Sequence, residues 1–421
     1  MKLIQARIRG LGPLTESRWF DLNPHLNLLR FPEQKYGRNF LRILQTINPT
    51  YAIDTVKPFA DFPKYTKKDG HTRRVDPAKR TVALAVFSAT PHLVKELAVL
   101  NQWLYETDRI EVGRRLDYSR WINFVELASS TRWSEISDSV QTLLNEAHRL
   151  APDRITPLSD IIRNLKPEDR VKGKLQDLLK RWLHDLPPRL RESSQELIET
   201  THTAVLRADH FHTAGEIVRT RLPLFIMIGG HSVDAQQNPS DKGQDSASPH
   251  HLLYLTSQKI DALNRKSNND GREFLKALNE QLAAFHYPGI MLRLDKPSTG
   301  VLQVLNDTPN RLSTTGPLTA FRQIQTKACL AVAFSRVACK TEPILLFDGP
   351  EQVLPSTLHR ELADFVIDIS NTCQCLYSFD EIDIFPNDIT GRRYSAAELE
   401  TTKEQKNESL NRPAIMSPDP H

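Results

Sequence analysis

The order of the elements constrains this chain more than any single motif in its 421 residues. Leu3-Ile4-Gln5-Ala6-Arg7-Ile8-Arg9 alternates apolar and polar positions with period two, which predicts a strand, and Gly10, Gly12 and Pro13 punctuate it. Phe20-Asp21-Leu22 predicts a second short strand and Leu26-Asn27-Leu28-Leu29 a third, buried one, before Phe40-Leu41-Arg42-Ile43-Leu44 takes up helical spacing as far as Pro49. Thr81 to Phe87 is a further strand. From about His92 to Arg221 the spacing is helical: Leu93, Leu97 and Leu100 share a face, as do Trp133, Ile136, Val140, Leu143, Leu144 and Ala147, and then Leu175, Leu178, Leu179, Trp182 and Leu186. Pro152, Pro157, Pro167, Pro187 and Pro188 cut this stretch into short helices, because proline lacks the amide proton and clashes with the preceding turn.

After the helical stretch the strands return. Leu224 to Ile228 is a strand, residues 231–250 a Ser/Gln/Asp/Pro-rich mobile loop, and Lys259 to Phe285 a helix or two. Ile290 to Leu294 and Val301 to Leu305 bracket the turn of a hairpin. A long apolar helix runs from Thr319 to Ala338, followed by a buried strand ending in an acid, Ile344-Leu345-Leu346-Phe347-Asp348, a helix from Leu358 to Ser370 and a last strand from Cys373 to Ser378. Beyond about Asn387 the chain is polar and proline-tipped, and a disordered tail is expected.

Composition narrows the classes. Lys+Arg is 55 and Asp+Glu 51, a net charge of only +4, which excludes a polycation while leaving local basic faces open. Glycines (16) are outnumbered by prolines (27), which counts against many flexible phosphate loops. No apolar run reaches the roughly 18–20 residues of a membrane helix, and the start lacks a signal-peptide core. Cys329, Cys339, Cys373 and Cys375 are too few and too scattered for a disulfide scaffold, which reads as a reducing cytoplasm.

A strand-loop-helix near the start is thus separated by a helical insertion from a hairpin, the turn Leu312-Ser313-Thr314-Thr315-Gly316 and an apolar strand ending in Asp348. That order resembles the split ATPase head of SMC-like ABC ATPases, the RecF-like and YhaN-type AAA proteins in particular, over about residues 1–50 and 272–385. The resemblance implies an α/β, P-loop NTPase-like head assembled from both chain ends around a helical insertion. The expected divisions are an N-terminal lobe at 1–91, the helical insertion at 92–222, a strand and flexible loop at 223–271, a C-terminal lobe at 272–386 and the tail at 387–421.

The resemblance keeps spacing better than chemistry. Where the family has Gly-Pro-Asn-x-x-Gly-Lys-Ser/Thr, this chain has Phe31-Pro32-Glu33-Gln34-Lys35-Tyr36-Gly37-Arg38 and then Asn39. Phe31 and Tyr36 stand at the glycine positions, Gly37 at the lysine and Arg38 at the magnesium-touching hydroxyl. A phosphate cradle needs glycines so that backbone amides wrap the anion, a lysine for its charge and a hydroxyl for Mg²⁺. If any nucleotide contact persists, Lys35, Gly37, Arg38 and Asn39 are the positions that carry it. Ser313 and Gly316 match the signature turn that faces the opposite head's γ-phosphate, with one extra residue before the glycine. Asp348 matches the Mg²⁺-linked acid, but Gly349 replaces the water-orienting carboxylate, Glu351 follows two residues later, and Tyr377-Ser378-Phe379-Asp380-Glu381 lacks the switch histidine.

Lysine, magnesium and base supply most of the electrostatic stabilisation of phosphoryl transfer. Their joint replacement predicts a catalytically degenerate head, a structural or regulatory subunit in DNA repair, chromosome maintenance or DNA-directed defence. It would pair with itself or with an active ATPase or nuclease through the signature face. The alternatives are a divergent but active enzyme, with ATP and Mg²⁺ as cofactors, Asp348 as metal ligand and Asp348 and Glu351 as catalytic acids, and a nucleic-acid-binding module. For the latter the basic residues from Lys64 to Arg80, and Arg109, Arg114, Arg115 and Arg120 interleaved with Tyr118 and Trp121, are the stripe that could track DNA phosphates. His212 and Glu216 stand four apart, a spacing zinc can use, but no third ligand is near in sequence; His250-His251 is a weaker metal signal and Cys373-x-Cys375 reads as packing.

Overall fold

In a computed structural model the structure describes residues 1–11, 14–59, 62, 65–68, 71–100, 107–150, 156–229, 250–267, 269–287, 292–295, 303–306 and 317–399. Ser313, Gly316, the turn of the 292–306 hairpin and nearly all of the expected 231–250 loop lie outside these residues.

The central sheet has five parallel strands in the order Phe225–Ile228, Ile344–Asp348, Gln374–Phe379, Leu26–Arg30 and Arg392–Ser395. An N-terminal strand therefore sits between two C-terminal ones, and the two chain ends build one sheet. Its inner strands read as unbroken apolar runs because helices cover both faces: Ile344 to Asp348 and Gln374 to Phe379 are buried throughout. The apolar helix Pro317–Phe334, continued by a wider π turn at Ser335–Cys339, and the helix His359–Thr372 supply much of the covering core, with Ala331, Val332, Leu362 and Val366 fully buried.

A second sheet is mainly antiparallel, in the order Leu14–Glu16, Lys2–Leu11, Thr81–Ser88, Arg109–Arg115 and Arg120–Phe124, with Phe20–Asp21 paired to Lys2–Leu11. The helix Gln34–Gln45 packs on strands of both sheets. Gln374, nearly fully buried, stitches the sheets together: its Oε1 accepts from the Leu3 amide at 2.9 Å, and its Nε2 donates to the carbonyls of Leu3 (2.7 Å) and Asn23 (2.8 Å).

Two expectations are corrected. The stretch from Arg109 to Phe124 is a pair of strands, not helix. Ile110 and Val112 alternate inward, and Gly113 is small because the Trp121 indole lies where a Cβ would stand, 2.2 Å from its Cε2. The polar segment after Asn387 is ordered as far as Leu399: Arg392–Ser395 adds the edge strand and Ala396–Leu399 a short helix. An edge strand needs one apolar face at most, so its arginines disguised it; they pair instead, Arg392 with Asp21 at 3.2 Å and Arg393 with Asp383.

By compactness the chain forms two units, one of Met1–Ser88, Glu111–Trp121 and the described residues from Arg221 on, the other of Ala89–Ile110 and Ile122–Thr220. In the second, the helix Trp133–Leu150 buries Trp133, Ile136, Val140, Leu143, Leu144 and Ala147, the face the spacing predicted, against Leu179, Leu183 and Leu186 of the region that follows. Among the described residues no helix is long and apolar enough to cross a membrane.

Candidate functional site

Open parallel sheets bind ligands at the carboxyl ends of their strands. Three neighbouring strands here end in Asp348, Phe379 and Arg30, and the segments leaving them define the candidate site. From Arg30 only Phe31, Pro32 and Glu33 intervene before the helix begins at Gln34, so Gln34 to Asn39 are helical rather than looped. Phe31 is buried against Phe40, ring centroids 5.4 Å apart. The short connection and its phenyl ring leave no stretch of turned backbone amides of the kind that cradles phosphate.

The early helix start decides where each side chain goes. Gln34 and Arg38, four apart, share the face turned to the sheet. Arg38 Nε donates to Asp348 Oδ2 at 2.7 Å, and Gln34 Nε2 donates to Asp348 Oδ1 at 2.6 Å and lies 3.5 Å from Ser378 Oγ. Both oxygens of the buried Asp348 carboxylate thus accept from the helix that follows the N-terminal strand. Lys35 faces away, its ammonium 2.7 Å from Glu33 and over the Tyr36 ring, and Asn39 is exposed.

Two glycines make this packing possible. A Cβ on Gly37 would stand 3.0 Å from both Phe31 and Ser378, so no side chain fits there without displacing them. Gly349 has φ +50° and a Cβ there would fall 2.3 Å from Gln34 Nε2, so the residue after Asp348 is glycine for conformation and for room.

Glu351 lies beyond, in the turn Pro350–Val353, and is almost wholly buried. Tyr377, fully buried on the neighbouring strand, donates its hydroxyl to Glu351 Oε2, and Glu351 Oε1 has no hydrogen-bond partner. Burial is the main reason its carboxyl rises to about 7, opposed by the Tyr377 bond and reinforced by the nearby carboxylates of Asp380 and Asp348. Burial and the same glutamate push the Tyr377 phenol up as well. The sequence singled out Lys35, Gly37, Arg38, Asn39, Ser313, Gly316, Asp348 and Glu351; Ser313 and Gly316 lie outside the described residues, and among the rest the structure joins Arg38 to Asp348, packs Gly37 against Phe31 and Ser378 and sets Lys35, Asn39 and Glu351 aside. Gln34, Ser378 and Tyr377 were not foreseen. The Gln34/Arg38 spacing of four would have exposed the first of them had the helix been started six residues earlier.

The arginines of the second sheet have structural work. Arg114, buried, donates to the carbonyls of Thr46 (2.7 Å), Ile47 (3.2 Å) and Tyr118, where the helix Gln34–Gln45 ends. Arg120 donates to Asn48 Oδ1 at 2.8 Å, and Arg115 is buried. Tyr118 stacks on Phe59 at 5.4 Å and the Trp121 indole donates to Thr81 Oγ1. His212 lies 3.9 Å from Glu216, and among the described residues no group of three or more His, Cys, Asp or Glu side chains is placed to hold a metal ion.

No known family profile matches the sequence, and no curated protein is similar to it. Solved structures are similar in shape alone. An Smc head bound to the C-winged helix domain of ScpA shares 10% identity with a TM-score of 0.43 over 91% of each chain. The SMC head domain from Thermotoga maritima shares 9% with a TM-score of 0.32 over 91% of this chain and 90% of that one. The recombination mediator protein RecF with ATP shares 10% with a TM-score of 0.36, covering 94% and 95%. The strand order describes the fold: one parallel sheet with an N-terminal strand between C-terminal ones, an acid ending the strand next to its central one and a helix leading from the N-terminal strand onto that acid, an α/β architecture built from both chain ends.

Proposed function

We propose that this chain is a catalytically degenerate SMC/RecF-like head that serves as a structural or regulatory subunit. The observation that carries the reading is the occupation of Asp348 by Gln34 and Arg38. The acid positioned to hold magnesium is already neutralised by a guanidinium from the position where the family has a hydroxyl. The residues present do not fit a magnesium-bound triphosphate: Gly37 has no room for the missing lysine and Gly349 none for the missing carboxylate. Glu351 does not stand where that carboxylate would: it is buried in the turn Pro350–Val353, with its Oε2 accepting from the Tyr377 hydroxyl.

In this reading the head pairs with a second copy, or with an intact ATPase or nuclease, through the face carrying Ser313 and Gly316, in DNA repair, chromosome maintenance or DNA-directed defence. This part rests on the resemblance alone. Calorimetric titration of ATP with and without Mg²⁺ tests the reading. No saturable binding is expected. Tight, Mg²⁺-dependent binding that disappears in Asp348→Ala would overturn it in favour of a divergent ATPase.

A further inference from the structure

A buried carboxylate is stable only with a counter-charge and with its lone pairs satisfied. Asp348 has 3% of its side chain exposed, and among the described residues Arg38 is the one cation within ion-pair distance. The wall around that pair is oxygen-rich. Gln34 turns its amide nitrogen to Asp348, and its Oε1 is buried without a hydrogen-bond partner. Ser378 Oγ lies 3.5 Å from Gln34 Nε2 and donates to the Phe347 carbonyl at 3.3 Å. Carboxylate, amide carbonyl and hydroxyl oxygens are the donors that hard divalent cations take.

We propose that Arg38 is the resident cation of this site, fixed by its own backbone where the oxygens of Asp348, Gln34 and Ser378 would otherwise draw a divalent ion of the magnesium class. The inference deepens the functional reading above and rests on it. It has two consequences. The native site is indifferent to divalent metal, because the guanidinium already fills it. Removal of the guanidinium leaves a buried carboxylate beside an unpartnered oxygen, and that set binds Mn²⁺ or Mg²⁺. With one carboxylate the captured ion keeps several waters and binds weakly, in the millimolar to sub-millimolar range typical of sparsely charged oxygen sites.

The experiment uses the full chain, without nucleotide, and reads two signals: the unfolding temperature in EDTA and in millimolar Mn²⁺ or Mg²⁺, and loss of the free Mn²⁺ electron paramagnetic resonance signal. Wild type is expected to show the same unfolding temperature in EDTA and in metal. Arg38→Ser is expected to melt lower in EDTA, recover part of the loss in metal and bind Mn²⁺ about tenfold or more tighter than wild type, since binding to the folded state alone raises stability. Arg38→Lys keeps a point charge and should behave as wild type. The double variant Arg38→Ser with Asp348→Asn should lose the metal response, because no charge remains to be matched. Should Arg38→Ser not fold, Arg38→Gln, which keeps length and hydrogen bonding, gives the same comparison. A folded Arg38→Ser or Arg38→Gln with no metal response overturns the inference, as does wild type binding Mn²⁺ as tightly as they do. Mg²⁺-dependent ATP binding by wild type would instead sink the functional reading and leave this nucleotide-free comparison standing.

Discussion

The helix Gln34–Gln45 has arginines at both ends, and they do opposite things. Near its start Arg38 reaches from the helix to Asp348, a carboxylate that would otherwise sit buried and uncompensated. Past its end Arg114 and Arg120 reach from another sheet to the carbonyls of Thr46 and Ile47 and to Asn48. The second arrangement complements the helix dipole and satisfies orphan acceptors, the ordinary use of a cation at a carboxyl terminus. The first places a cation in the opening turns, where the dipole disfavours it, and does so to neutralise a single acid. Structure alone explains the arginines at the end of the helix; the arginine at its start makes sense against a charge that the fold keeps in place.

The largest expected effect breaks the start of the helix. Arg38→Ala leaves the Asp348 carboxylate buried without a counter-ion and should cost about 3–5 kcal/mol of unfolding free energy by chemical denaturation. Asp348→Asn keeps an acceptor, and the freed guanidinium, partly exposed, can find water; it should cost only about 1–2 kcal/mol. Equal losses in the two variants would mean that the pair is a symmetric contact rather than a cation serving an acid. The neighbouring carboxyl sharpens the contrast. Among the described residues Glu351 has no cation within ion-pair distance, and burial raises its folded value to about 7 from an ordinary 4.5. Its neutral form is therefore the folded form. That contribution is complete below about pH 4.5 and is lost as pH rises toward 7, on the order of 3 kcal/mol for a shift of this size. Glu351→Gln should flatten that loss and exceed wild type in stability at pH 8, whereas parallel pH profiles for the two proteins would remove Glu351 from the account.

That the two chain ends meet in one sheet was expected from the order of the elements and the split head that this order resembles. Leu28-Leu29 and Leu345 to Phe347 were legible as buried strands because they are apolar runs of the kind a sheet covered on both faces holds. The site was legible in part. Asp348 was marked by its place at the end of such a run, and Arg38 and Gly37 by the motif positions that the resemblance supplied. Their pairing was not, because it depends on a helix that starts at Gln34, and the apolar spacing used to find that helix begins only at Phe40. The strands Arg109–Arg115 and Arg392–Ser395 were missed for a related reason: charged side chains, buried at Arg114 and Arg115 and on an edge strand at Arg392 and Arg393, dilute the period-two signal.

The arginines past the end of the helix were read from sequence as a phosphate-tracking stripe, and that reading defines the smaller predictions. Arg114 is buried and its donors go to the backbone carbonyls of Thr46, Ile47 and Tyr118, so Arg114→Ala should cost about 2 kcal/mol through the acceptors it leaves. Arg120 is only partly buried and shares Ile47 with Arg114, so Arg120→Ala should cost about 0.5–1 kcal/mol. The distinguishing measurement is affinity for a DNA duplex over a range of salt concentrations. A phosphate-contacting arginine lowers the salt slope by about one unit when removed. A cap does not, since its charge never leaves the helix terminus. Lost stability with an unchanged salt slope is therefore the expected pair of results for Arg114→Ala, and a reduced slope with unchanged stability would return these arginines to the nucleic-acid stripe.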